Sequence, residues 1–192
     1  MAPGPDPDPA AVANRLGALA LVVTDRTSAA VTELAGQSIS SATALSALHH
    51  FLQAPSIELL SQVLGLTHSA TVRLVDRLED QGYVRRRPGP DARTAAVILT
   101  ASGRRVASRT SDARLQVLGA LVDALSDDER TALDELVGRL LVSLIRRPGA
   151  TRWTCRLCDT GACGRFAGGC PVGREAERRY GAPPSPEVSP SA

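Results

Sequence analysis

The sequence contains few aromatic residues and no lysine. Phe, Trp and Tyr make up 3% of the 192 residues, whereas hydrophobic residues reach 43%. A buried core must therefore consist of Leu, Val, Ala and Ile, and an aliphatic composition with few strand-like runs favours packed helices. All 22 basic residues are arginine. Because Ala, Gly and Pro are also abundant, we attribute the absence of lysine to a GC-rich coding bias.

The sequence also lacks a long apolar run and a basic N-terminal stretch. No apolar run is long enough to cross a bilayer, and the Pro- and Asp-rich residues 1–9 do not have the pattern of a signal peptide. We therefore predict a cytoplasmic chain without membrane contacts. Residues 1–9 and the Pro/Ser-rich residues 182–192 are predicted to be disordered. In the cytoplasm, the cysteines are not expected to form structural disulfides.

Apolar residues at helical spacing predict two helices in the first part of the chain. The first covers residues 10–34, with a break near Thr27 and Ser28. The second begins at Ser40 and ends at Gln53, because the residue before Pro55 disfavours the helical conformation.

Two further long helices are predicted after residue 100. Thr100 begins a helix that runs to about Leu125, and Ser126 with Glu129 forms a capping box at the start of the next. The apolar stripes within residues 10–34 and 104–147 are longer than one short intramolecular contact requires. These stripes therefore predict a helical dimerisation region.

Residues 56–102 have the pattern of a helix, a tight turn, a second helix and a hairpin. Ser56 is predicted to cap the first helix, Gly65 to end it, and Thr67 to cap a second helix that continues to Asp80. This order is typical of a helix-turn-helix unit.

The second helix of this unit has an inward aliphatic stripe and an outward face of short polar residues and arginine. Such a helix can lie in the major groove, where its side chains contact phosphates and base edges. The alternative is a solvated amphipathic helix in which Arg73 pairs with Asp76 and Arg77 with Asp80. The predicted DNA contacts on this helix are Thr67, His68, Ser69, Thr71, Arg73 and Arg77.

A basic hairpin after the helix favours the DNA-binding interpretation. Strands are predicted at Tyr83–Arg87 and Arg93–Leu99, joined by a turn at residues 88–92. An arginine at the tip of such a ribbon can enter the minor groove, so we predict this role for Arg93, with Asp91 bracing its guanidinium. The arginines predicted to hold phosphates are Arg85, Arg86 and Arg87.

Five short elements of this segment form a recognisable pattern: the turn Leu64-Gly65-Leu66, the run from Arg73 to Glu79, the step from Gly82 to Arg86, the wing Asp91-Ala92-Arg93 and the exit from Leu99 to Gly103. With these elements in this order, the segment resembles the MarR family of winged helix-turn-helix regulators. The resemblance implies a mainly α fold for residues 10–148: a winged helix-turn-helix with a two-stranded wing. It also implies a homodimer that binds a palindromic operator in double-stranded DNA as a repressor and is often released by a small-molecule effector or by oxidation. Ala70 and Val72 stand where relatives often carry Thr, which leaves the operator sequence open.

All four cysteines lie in the Gly-rich segment 151–181, with the spacing C-x2-C-x4-C-x6-C. Thiolates this close in sequence can converge on one ion, and the segment has too few apolar residues to fold unaided, so a metal would supply its folding energy. We predict a Zn²⁺ site in which the ligands are Cys155, Cys158, Cys163 and Cys170.

Two alternatives to zinc remain open for this segment. The leading C-x2-C and the Cys170-Pro171 step are typical of iron–sulfur proteins, although the middle spacings differ. A metal-free thiol switch would use Cys155 and Cys158 as its redox pair.

Taken together, these patterns predict a DNA-binding transcriptional regulator, not an enzyme, that responds to metal or redox state through its cysteines. One alternative is a metal-dependent protein-interaction module anchored on DNA. Another is a thiol oxidoreductase, which is disfavoured because no βαβ pattern surrounds the C-x2-C pair.

Overall fold

The computed structural model of the protein describes residues 8–89 and 95–181. Within these ranges the helices are α1 (Pro9–Ala35), α2 (Ile39–His50), α3 (Ile57–Leu64), α4 (His68–Asp80), α5 (Ala101–Val122), α6 (Asp127–Ser143), α7 (Ala150–Thr154) and α8 (Pro171–Tyr180). The strands are β1 (Val84–Pro88) and β2 (Ala95–Leu99). No helix in the described ranges has both the length and the apolar character needed to cross a membrane.

The first two helices differ in their bounds from the sequence-based expectation. Helix α1 is continuous through residue 27, so the predicted break is wrong. The Thr27 hydroxyl donates to the Val23 carbonyl at 2.7 Å, and this bond keeps the threonine within the helix. The helix also starts earlier, because Asp8 caps it and Pro9 occupies its first turn. Helix α2 is capped by Ser38 instead of Ser40 and ends at His50.

The helix-turn-helix is confirmed together with its predicted caps. Ser56 accepts the Leu59 amide at the start of α3, and Thr67 accepts the Ala70 amide at the start of α4. Gly65 ends α3 in the left-handed region, with φ of 66°. Because an L side chain rarely adopts that backbone conformation, glycine suits this turn.

The wing is a two-stranded antiparallel sheet in which Val84 pairs with Leu99. Strand β1 is shifted by one residue from the prediction, since it starts at Val84 and includes Pro88, and β2 is described from Ala95 to the predicted end at Leu99. The sheet is anchored to the start of α3, since the Val97 amide donates to the Pro55 carbonyl at 2.9 Å.

One aliphatic core lies between α2, α3, α4, α5 and the wing. Its members include the fully buried Leu45, Leu60, Leu74, Leu78 and Val97. Helix α1 packs along α5, outside this core. The observed architecture is mainly α with a winged helix-turn-helix, as predicted.

The capping box before α6 is also confirmed. The Ser126 side chain accepts the Glu129 amide, and the Glu129 carboxylate accepts the Ser126 amide at 2.9 Å. This reciprocal pair satisfies amides that the first helical turn leaves without intrahelical partners.

The segment after α6 is folded against the rest of the chain. Helix α8 approaches α6 closely at Gly138, where an added Cβ would lie 3.2 Å from the Pro171 side chain. A second small core joins the end of α6 to the segment through Ile145, Cys155, Cys170 and Val172. The segment therefore packs on Leu141 of α6 and on Ile145 just beyond that helix, in keeping with its own shortage of apolar residues.

Candidate nucleic-acid interface

Helix α4 is packed on one side and open on the other. Leu74, Val75 and Leu78 are buried, whereas Ser69, Arg73 and Arg77 are exposed. At the N-terminal end, Thr67 and His68 are also exposed, and the His68 imidazole lies 3.5 Å from the Glu58 carboxylate of α3. The exposed face thus combines hydroxyls, an imidazole and two guanidinium groups, the groups that hydrogen-bond phosphates and base edges.

Thr71 does not belong to this exposed face. Its side chain is fully buried, and its hydroxyl donates to the Thr67 carbonyl at 3.0 Å. It lies with the apolar stripe of α4 and faces the core, so the structure does not place it where it could contact DNA.

Arg86 lies between the wing and α4 and is braced by two carboxylates. Its guanidinium pairs with Asp76 at 2.5 Å and with Glu79, and its backbone amide donates to Glu79 at 2.9 Å. Burial alone would lower the pKa of Arg86, but the hydrogen bonds and charges of these carboxylates outweigh it and raise the pKa. The predicted phosphate contact is therefore replaced by an ion pair that ties β1 to α4.

The two neighbouring arginines remain available to a ligand. Arg85 and Arg87 are exposed, because side chains alternate between the two faces of a strand and Arg86 alone points to α4. The remaining predicted contacts of the wing, Asp91 and Arg93, lie outside the described residues.

The alternative pairing scheme for α4 is absent from the structure. Among the described residues, no ion pair joins Arg73 or Arg77 to a carboxylate, and Asp76 is taken by Arg86. The positive charges on the outward face of α4 are therefore not neutralised by the helix itself.

The four predicted ligands are thiols in the structure. Cys155 and Cys170 are buried and Cys163 is exposed. A hydrogen bond with Cys155 lowers the pKa of Cys158 to about 6, burial opposes this effect, and the charges of Arg114, Arg165 and Arg156 reinforce it. The same bond and burial raise the pKa of Cys155.

The thiols are close enough to influence one another, but they do not form a coordination set. Burial and the neighbouring Cys170 raise the pKa of Cys163. Within residues 8–89 and 95–181, no group of three or more His, Cys, Asp or Glu side chains is arranged so that it could hold a metal ion.

The cysteine segment contacts the turn of the helix-turn-helix and the end of α2. The Trp153 indole nitrogen lies 3.3 Å from the position that a Cβ on Gly65 would occupy, so the ring covers the turn between α3 and α4. On the other side, the Thr160 hydroxyl donates to the His50 carbonyl at 3.1 Å, and the His50 imidazole lies 3.8 Å from the Asp159 carboxylate. The sequence pattern predicted neither contact.

Comparisons with known proteins identify the fold. Residues 35–94 match the sequence model of the MarR family. No curated protein matches the chain.

Three solved structures are similar over most of their own length. The YusO protein of Bacillus subtilis has 17% identity and a TM-score of 0.58, with coverage of 67% of this chain and 91% of that one. Apo MarR from E. coli has 25% identity and a TM-score of 0.54, and the match covers 66% of this chain and 96% of that one. A cysteine-to-serine variant of E. coli MarR, complexed with operator DNA, has 24% identity and a TM-score of 0.53, and the match covers 70% of this chain and 99% of that one.

The matched residues begin at the end of α1 and end just before β2, and the cysteine segment lies beyond them. Residues 35–94 of this chain are thus similar to the MarR family, and the winged helix-turn-helix fold is that of solved MarR structures.

Proposed function

We propose that the protein is a transcriptional repressor that binds a palindromic operator in double-stranded DNA as a homodimer. The observation that carries this proposal is the outward face of α4, where Arg73 and Arg77 are exposed opposite a buried aliphatic stripe. In the proposed complex α4 enters the major groove and Arg85 and Arg87 hold phosphates beside it.

The uncovered apolar surfaces of α1 and α6 support the homodimer. On α6, Leu136, Leu140 and Leu144 are 55%, 51% and 60% exposed. On α1, the exposed large apolar residues are Val12, Leu16, Leu19, Leu21 and Val22. Apolar surface this extended is unusual on a soluble monomer. A second copy of the chain would cover both helices and hold two α4 helices about 34 Å apart, one turn of DNA.

A cavity of about 350 Å³ is a suitable place for a small-molecule effector. It lies between α1, α2 and the cysteine segment, and its lining includes Val31, Thr43, Arg114 and Arg156. Two arginines beside apolar walls would suit a compound with an anionic group and an apolar body.

We further propose that operator binding responds to the state of the four cysteines. The segment that carries them contacts the turn of the helix-turn-helix through Trp153 and the end of α2 through Thr160. A change of metal or redox state in this segment would therefore act on elements that position α4.

In-vitro selection from a random duplex library tests the DNA-binding proposal. We expect an enriched palindrome whose half-site centres are about one helical turn, roughly 34 Å, apart. Enrichment of no motif, or of a single unrepeated half-site, would refute it.

On the selected duplex, Arg73→Ala should weaken binding by about 1–3 kcal/mol at fixed salt, measured by fluorescence anisotropy. The control is Arg146→Ala, which removes an exposed arginine beyond the end of α6 and should leave affinity unchanged. Equal losses in the two variants would mean that α4 does not read the DNA.

A further inference from the structure

The backbone of the cysteine segment brings three of its four thiols into one small core, although these thiols are not in metal-binding geometry in the described residues. Cys155 follows α7, and the Cys158 amide donates to the Cys155 carbonyl at 2.9 Å, which folds the C-x2-C stretch into a turn. Cys170 caps α8, and its sulfur accepts the Gly173 amide at 3.4 Å. The side chains of Cys155, Cys158 and Cys170 pack together in the small core around Ile145.

A glycine contact closes the loop between Cys163 and Cys170. The Gly169 amide donates to the Gly164 carbonyl at 2.8 Å. An added Cβ on Gly169 would lie 3.3 Å from that carbonyl oxygen and 3.4 Å from the oxygen of Cys163, so a side chain would push the two loop ends apart. The loop is also fastened from α8, since the Arg174 guanidinium donates to the Gly168 and Gly169 carbonyls at 2.6 and 3.0 Å.

Positive charge surrounds the thiols. Arg114 of α5 and the segment's own Arg156 and Arg165 act on Cys158. Four thiolates around a divalent ion carry a net negative charge, which these arginines would offset.

We propose that Cys155, Cys158, Cys163 and Cys170 bind one thiophilic divalent ion, Zn²⁺, in a closed four-thiolate site. Three of the sulfurs come from a turn and a helix cap that already pack together, and the fourth comes from the adjoining loop. Four thiolates complete the tetrahedral shell of zinc. Cys163 is the exposed member, and its sulfur lies 3.7 Å from the Thr160 carbonyl in the described conformation. Binding of the ion therefore includes an inward movement of the loop that carries Cys163.

The ion would fix the position of the segment against the helix-turn-helix. Thr160, which contacts α2, lies between Cys158 and Cys163, and Trp153, which covers Gly65, is two residues before Cys155. Loss of the ion would loosen both contacts and weaken operator binding. This consequence rests on the proposed function, whereas the metal site itself does not.

The site is tested on the full chain, purified under reducing, oxygen-free conditions. We expect about one zinc per chain by elemental analysis, and replacement by Co²⁺ should give the absorption spectrum of a tetrahedral thiolate complex. Stoichiometric iron with acid-labile sulfide would overturn the zinc assignment in favour of a cluster. Protein that retains no metal and does not take up Zn²⁺ or Co²⁺ would overturn the site.

Cys163→Ser and Cys158→Ser should each lower zinc affinity by at least about tenfold in competition with a chelator, because an oxygen ligand replaces a thiolate. Glu177→Gln, which alters an exposed acid of α8, is the matched control and should bind zinc as wild type does. Circular dichroism separates a lost ligand from a lost fold, since titration with Zn²⁺ should restore helical signal in wild type and not in Cys158→Ser. Unchanged zinc affinity in both cysteine variants would refute the site.

The proposed effect of zinc on DNA binding is tested separately, by measuring operator affinity before and after removal of zinc. We expect at least about a fivefold loss, reversed by added Zn²⁺. If zinc binds as proposed and affinity does not change, the control of DNA binding is refuted and the metal site stands. If no form of the protein binds DNA, the failure belongs to the proposed function.

Discussion

Gly103 lies where α5 meets the corner between α4 and β1. A Cβ at this position would be 1.9 Å from the Tyr83 carbonyl oxygen, which also accepts the Thr100 amide at 3.0 Å. The carbonyl cannot move away without giving up that hydrogen bond. The Leu-Thr-x-x-Gly exit of the wing is thus explained by a close approach between two backbone segments.

Gly103→Ala should lower the free energy of unfolding by about 3 kcal/mol or more, because the added methyl group overlaps backbone atoms. Denaturant unfolding monitored by circular dichroism measures the change. Gly119→Ala, in the same helix with no atom within 4 Å of its added Cβ, should be neutral or raise stability by up to about 1 kcal/mol. Similar stabilities for the two variants would show that the Tyr83 contact does not constrain α5.

The orientation of individual interface side chains could be predicted from the sequence only where the periodicity of a helix or strand determines it. The exposed positions of Ser69, Arg73 and Arg77 follow from helical periodicity. Thr71 was counted among the contacts although it falls on the same stripe as Leu74, and the structure buries it. The three consecutive arginines were all predicted to hold phosphates, but Arg86 points to the opposite side of the strand from Arg85 and Arg87. The alternation of side chains along a strand could have predicted this difference.

Helix α6 has two apolar faces with different partners. One face meets α8 at Gly138 and Leu141, and the other exposes the leucines that we assign to the dimer. The helix therefore joins the cysteine segment to the proposed subunit interface.

Charges on the exposed face of α6 should separate the subunits. The double substitution Leu136→Glu with Leu140→Glu is expected to yield a monomer by analytical ultracentrifugation, because two carboxylates cannot be buried in an apolar contact without a large penalty. The control is Thr131→Glu, which adds charge about 180° around the helix axis from Leu140 and should leave the dimer intact. Dimers in the double variant would mean that this face is not the interface.

Helix starts were predictable from the sequence where a single capping residue precedes the apolar pattern, as at Ser56, Thr67, Thr100 and Ser126. At α2 several serines compete, and the sequence alone did not indicate that Ser38 takes the cap. The placement of α7 and α8 depends on distant contacts such as Gly138 with Pro171, which leave no periodic signal in the sequence.

On the scale of the whole molecule, zinc binding and operator binding should be reciprocally linked. Both act on the contacts at Gly65 and His50, and thermodynamic linkage requires each ligand to change the affinity of the other by the same factor. In equilibrium competition with a chelator, the operator duplex should therefore raise zinc affinity by the same factor by which zinc strengthens DNA binding.

A scrambled duplex of the same length is the control for this effect, since it carries the same phosphate charge without the half-sites. Trp153→Ala should keep the zinc site, but it removes the contact with the turn. The effect of zinc on operator affinity and the effect of the operator on zinc affinity should therefore both approach a factor of one. Equal protection by the scrambled duplex would contradict the linkage.

The contact of Trp153 with Gly65 also joins an early part of the chain to a late one. During synthesis the N-terminal parts of a chain generally fold first, so the DNA-reading unit can form before the cysteine segment leaves the ribosome. The Trp153 indole then docks on the turn at Gly65, which is already folded. On the proposed zinc site, a cell that makes this protein while zinc is scarce would thus accumulate molecules with a folded helix-turn-helix and an undocked segment, and zinc supplied later would dock the segment without new synthesis.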